Sequence, residues 1–157
     1  MAELAGRQAF CLTLDECAAA GRKAAVWLRD DDAIQATSAL RQLLSLTSEH
    51  GIAPLIAAIP DLAEDDLAAA LDADGVRVAV HGIGHINHAS RGEKKCELGV
   101  ERPADLVLAE LDRARVRLSA LIGERMFAML VPPWNRIAPE VIWRLGEAGF
   151  KALSLHG

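Results

Sequence analysis

Val78–His88, VAVHGIGHINH, carries an apolar run into three histidines, and Ala24–Ala33, AAVWLRDDDA, carries another into three consecutive carboxylates. Each run has the length and apolar character of a short buried strand. If the two are parallel neighbours, Asp and His side chains meet on one rim of a sheet. The rest of the chain supports that reading, because apolar runs and helical periodicities alternate along it.

A short helix is expected over Leu14–Ala20, capped by Thr13, and strand one over Ala24–Arg29. A helix near Ala36–Glu49 places Leu40, Leu43, Leu44 and Thr47 on one face, and Pro54–Ile59 reads as strand two. Pro60 and Asp61 open a further helix with Leu62, Leu67 and Leu71 inward, followed by strand three at Val76–Val80. The irregular stretch Gly82–Arg102 precedes a helix that starts at Pro103. Its inner face carries Val107 or Leu108, Leu111, Ala114, Leu118 and Leu121. Phe127–Val131 is strand four, Pro139–Ala148 a last helix and Lys151–Leu155 strand five. Gly51, Gly75, Gly123 and Gly149 each separate a helix from the next apolar run, as a residue accepting left-handed geometry does. The repeating unit predicts an α/β fold of parallel (β/α) repeats rather than a helical bundle.

The 157 residues, 52% of them apolar, suffice for a single domain over 1–157 with a real core. A net charge of −5 with interspersed signs, no Tyr and 4% aromatic residues argue against nucleic-acid binding. No stretch reaches the roughly 20 apolar residues that span a bilayer, and MAELAGRQAFCLTLDE lacks the layout of a signal peptide. With Cys11, Cys17 and Cys96 odd in number and without CxxC spacing, a cytoplasmic protein with reduced thiols is expected.

Three polar clusters fall at the carboxyl ends of expected strands: Asp30–Asp32, His81–His88 and Trp134–Arg136. Ligands of parallel α/β sheets gather on that rim. Adjacent carboxylates repel unless a cation compensates, and one can hold a divalent ion while its neighbour acts as a base. The plainer alternative is that the acids cap the following helix. His81 and His85 suit zinc or a similar ion as neutral imidazoles, if the intervening turn is helical. Asn87 and His88 are expected to hydrogen-bond the long loop in place. A phosphate-binding, doubly wound domain is disfavoured, since no glycine-rich loop follows strand one.

RDDDA, HGIGH and VPPW, in that order and rough spacing, resemble the polysaccharide deacetylase family, also called the NodB-homology or carbohydrate esterase family 4 group. The resemblance covers Ala24 to about Trp134. It implies a distorted or incomplete NodB-type (β/α) barrel and a metal-dependent hydrolase that removes acetyl groups from N-acetylated sugars or related amides. A carbohydrate or small amide is then the partner. The resemblance makes Asp31 the catalytic base and Asp32, His81 and His85 the ligands of a divalent metal, zinc in first place with cobalt or manganese as candidates. A register shifted by one gives Asp30 and Asp31 instead. Pro133 and Trp134 would form a sugar-facing wall, or Trp134 a mere loop anchor, with Arg136 a candidate to orient the base. The chain departs from the pattern at Gly82, where Ser or Thr is usual, at Val131, where Arg is usual, and at Asn135. The late LxH motif has only a superficial imitation, Leu153–His156. Five strands do not close a barrel, so the chain is expected to lack the final part of one, or to pair with another copy through its free edges. A non-catalytic sugar- or metal-binding remnant of the fold is the competing expectation.

Overall fold

A computed structural model describes residues 2–155. Five parallel strands form one sheet in sequence order, β1 (Arg29–Ala33), β2 (Leu55–Ala58), β3 (Arg77–Val80), β4 (Met126–Leu130) and β5 (Ala152–Leu153). The helices are α1 (Ala2–Ala19), α2 (Ser38–Glu49), α3 (Asp65–Ala70), α4 (Ala104–Ile122) and α5 (Pro139–Arg144). The four glycines expected to separate helices from strands all have positive φ, from 64° to 79°.

The period-2 alternation of the strands sorts their side chains between two faces. Ile56, Ala58, Val78, Val80 and Leu130 belong to one cluster, together with Leu40 and Leu44 of α2, Leu67 of α3, Leu111 and Leu118 of α4 and Val141 of α5. Leu55, Ala57, Ala79 and Val131 form a second, smaller cluster with Met129. Helices on one face of a sheet wound in sequence order give barrel-type winding, not the doubly wound arrangement. The sheet is not closed by hydrogen bonds: β1 and β5 are its two ends. Side chains cross the gap instead, since Arg29 Nη1 donates to Ser154 Oγ at 2.6 Å.

Three expected boundaries move by five residues or more. The first strand is Arg29–Ala33, not Ala24–Arg29, so the carboxylates lie within it rather than after it. Pairing with β2 begins only where Leu55 N meets Leu28 O at 2.9 Å, and Val26 and Trp27 before it are exposed. The amino-terminal helix extends over Ala2–Ala19, and Thr13 lies inside it, its hydroxyl donating to Ala9 O. From Ala5 on, α1 is exposed except at half-buried Cys17, so tertiary packing does not define its ends. The helix expected from Pro60 begins at Asp65.

Candidate metal centre

In β1, Asp30 pairs with Ile56 and Ala33 with Ala58, so three steps of one strand face two of its neighbour. The extra residue makes a bulge, and Asp32 absorbs it with a φ of 68°. Asp tolerates the left-handed region better than most side chains. The three acids therefore diverge. All three border a cavity of about 320 Å³ beside α2, and burial, reinforced by Asp31 and Asp32, raises the pKa of Asp30 above the usual range.

His81 follows β3 directly, its backbone N–H donating to Ala58 O at 2.8 Å. Its ring is 3% exposed, and Nδ1 lies 2.9 Å from Val131 O. Only a protonated nitrogen can satisfy that carbonyl, so Nδ1 carries the proton and Nε2 presents its lone pair outward. Burial holds the pKa of His81 below the ordinary imidazole value, against the opposing pull of Asp31, the Val131 bond and Asp32.

The turn between the histidines is not helical. Gly82 has a φ of 65°, and a Cβ there would overlap the Glu97 carboxylate and the Pro133 ring. That close approach explains why glycine stands where the resemblance leads one to expect Ser or Thr. Glu97 itself is 1% exposed and accepts from the backbone N–H groups of Ile83 at 3.0 Å, Gly84 at 2.9 Å and Ile86 at 3.0 Å. One carboxylate thus satisfies three donors that would otherwise be orphaned. Asn87 pins the next segment, accepting from Ala89 N and Cys96 N, while His88 N donates to Cys96 O.

These constraints gather the ligand candidates. Asp32 Oδ1 lies 3.1 Å from His81 Nε2 and 3.2 Å from His85 Nε2. Asp32, His81 and His85 each offer one atom within 4.8 Å of the others. With His81 protonated at Nδ1 and kept neutral by burial, its Nε2 faces a carboxylate oxygen as acceptor against acceptor. A cation between them resolves the conflict, and the oxygen/nitrogen donor set suits zinc and similar divalent ions. The hydrogen bond from Nδ1 to a carbonyl is the outer contact that orients ligating histidines.

Asp31 faces a different partner. Arg29 Nη2 donates to its Oδ2 at 3.0 Å, and Nε lies 2.8 Å from Oδ1. Oδ1 is buried, yet no donor is aligned on it. The guanidinium beside Asp31 is therefore that of Arg29, two residues earlier on the same strand face. Arg136 instead donates to Lys95 O at 3.1 Å and anchors the long loop. Pro133 is buried against the Gly82 turn. Trp134 packs on His85, ring centroids 4.3 Å apart, with Lys95 Nζ 5.8 Å from the indole. His156, the residue imitating the late motif, lies outside the described residues.

Among the described residues, four non-glycine residues have positive φ: Asp32, His85, Trp134 and Asn135. All belong to the rim just described, and strain concentrated at one place is a mark of function. Sequence reasoning missed Arg29 and Glu97. The i,i+2 relation of Arg29 to Asp31 was a usable signal; Glu97 sits in a charged loop and carried none.

No protein-family profile and no curated protein matches the chain. Solved structures do. A family 4 carbohydrate esterase from Streptomyces lividans is 16% identical with a TM-score of 0.63, over 82% of this chain and 61% of that one. The Bc1960 peptidoglycan N-acetylglucosamine deacetylase is 18% identical with a TM-score of 0.64, over 83% and 56%. BA3943, a family 4 pseudoenzyme from Bacillus anthracis, is 12% identical with a TM-score of 0.60, over 80% and 42%. The chain thus spans between 42% and 61% of the length of these three structures. Its parallel sheet, wound in sequence order and left open, has the NodB-type fold of the carbohydrate esterase family 4 polysaccharide deacetylases.

Proposed function

We propose that the protein is a metal-dependent hydrolase of the polysaccharide deacetylase type, removing acetyl groups from N-acetylated sugars or related amides. The observation that carries this reading is the approach of Asp32 Oδ1 to two imidazole nitrogens at 3.1 and 3.2 Å. Asp32, His81 and His85 hold the divalent ion, zinc by preference. When bound, such an ion polarises a carbonyl and acidifies water. Asp31 is the general base, and its carboxylate, held by Arg29, takes a proton as water attacks the amide carbon. Neutral His81 stays a ligand because Val131 O holds its proton at Nδ1. Trp134, against His85, offers an apolar wall for one face of a sugar ring, whereas buried Pro133 supports the turn behind it.

The test is acetate release from N-acetylglucosamine oligosaccharides by the purified chain, with and without chelator. Expected are chelator-sensitive release and a loss of about 10²–10⁴-fold in Asp31→Asn, the usual contribution of a general base. A chain that binds zinc and the oligosaccharide but releases no acetate supports a second reading, a binding protein on the same fold. The likeness to a pseudoenzyme favours that alternative.

A further inference from the structure

We propose that Arg29 is the positioning residue of this site. It grips the Asp31 carboxylate along one edge, with Nη2 on Oδ2 and Nε against Oδ1, and is itself held across the open edge of the sheet by Ser154. The proposal rests on the hydrolase reading above and deepens it.

Three observations carry it. First, one guanidinium meets both oxygens of Asp31: Nη2 donates to Oδ2 at 3.0 Å, and Nε lies 2.8 Å from the buried Oδ1. Second, the same guanidinium reaches two distant segments. Nη1 donates to Ser154 Oγ just after β5 at 2.6 Å, and Nη2 lies 3.4 Å from Asn135 Oδ1. Arg29 is 13% exposed and Ser154 is 7% exposed, so little water competes for these contacts. Third, the planar fork of Arg holds a carboxylate in one orientation, which the single point charge of Lys does not.

The end of the barrel-type winding thereby becomes part of the site. No backbone pairing joins β1 to β5, and the Arg29–Ser154 bond fixes their separation at the level of Asp31. Asn135 sits opposite in left-handed geometry, φ 54°, which turns its side chain toward the same guanidinium. Displacing a base by about 1 Å costs on the order of 10²-fold in rate.

The experiment uses the zinc-loaded full chain and the variants Arg29→Met, Arg29→Lys, Arg29→Ala and Ser154→Ala. Expected are unchanged zinc stoichiometry in all four and a kcat for acetate release about 10²-fold lower in Arg29→Met, with KM within a few-fold of the parent. Arg29→Lys should recover only part of that loss, and added guanidinium ion should partly restore Arg29→Ala. Ser154→Ala should show a smaller loss in kcat. Side-chain 15N NMR gives a second reading independent of activity: Asp31→Asn should shift the Arg29 Nε–H resonance, and Ser154→Ala its Nη signals. A folded, zinc-bound Arg29→Met with parental kcat overturns the proposal, and so does an Arg29 resonance indifferent to Asp31→Asn. A zinc-bound parent that hydrolyses nothing overturns the hydrolase reading instead, and the NMR arm still decides whether Arg29 holds Asp31.

Discussion

His81 is 3% exposed at the tip of β3, with a carbonyl on one ring nitrogen and, behind it, a turn clamped by buried Glu97. Asp32, its counterpart on β1, is 62% exposed, occupies a bulge at a φ of 68°, and lies against the two imidazoles. The contrast separates two tasks. The histidine arm is built into the fold, whereas the exposed aspartate arm adds little to it and would serve a bound cation. Substitutions in the first should therefore change stability and binding together. Those in the second should change binding only.

The largest effect is expected at Glu97. Glu97→Ala strips three backbone donors of their acceptor, each worth roughly 1–3 kcal/mol when left unsatisfied. Urea unfolding should show a loss of about 3 kcal/mol or more, with zinc binding falling in parallel. A variant as stable as the parent would mean that the turn does not depend on Glu97. Gly82→Ala comes next. It forces a Cβ into left-handed geometry against Glu97 and Pro133, at a cost of about 1–3 kcal/mol, read by the same unfolding curve. Restoring Ser at that position, as the family pattern suggests, should be no kinder.

Asp32→Ala sharpens the contrast from the other side. Without metal its stability should stay within about 1 kcal/mol of the parent, the side chain being exposed and Ala tolerating the left-handed backbone somewhat less well than Asp. Zinc at 100 times Kd should stabilise the parent by about 2.7 kcal/mol and leave the variant unmoved. Equal loss of metal-free stability in Asp32→Ala and Glu97→Ala would break the distinction between the arms.

The sequence disclosed the alternation of elements because it depends on local signals: apolar runs of strand length, leucines at helical spacing, and glycines between helix and strand. The ligand candidates were legible for the same reason, each sitting at or beside a strand end. Strand one was displaced because Ala24–Leu28 is as apolar as a strand while Arg29–Asp32 is not. Pairing with β2, relieved by a bulge, overrode the low strand preference of Asp. Glu97 and the far partner of Arg29 were illegible through distance. Glu97 lies 14 residues from Ile83 among lysines that advertise a solvated loop, and Arg29 meets Ser154 across 125 residues. No helix among the described residues is long and apolar enough to cross a membrane.

Calorimetric titration of the chelator-stripped chain with zinc tests the central claim most directly. One ion per chain is predicted, with binding lost in His81→Ala and in Asp32→Ala and kept in His88→Ala. A parent that takes up no zinc, or an Asp32→Ala variant that binds it as tightly, would contradict the account.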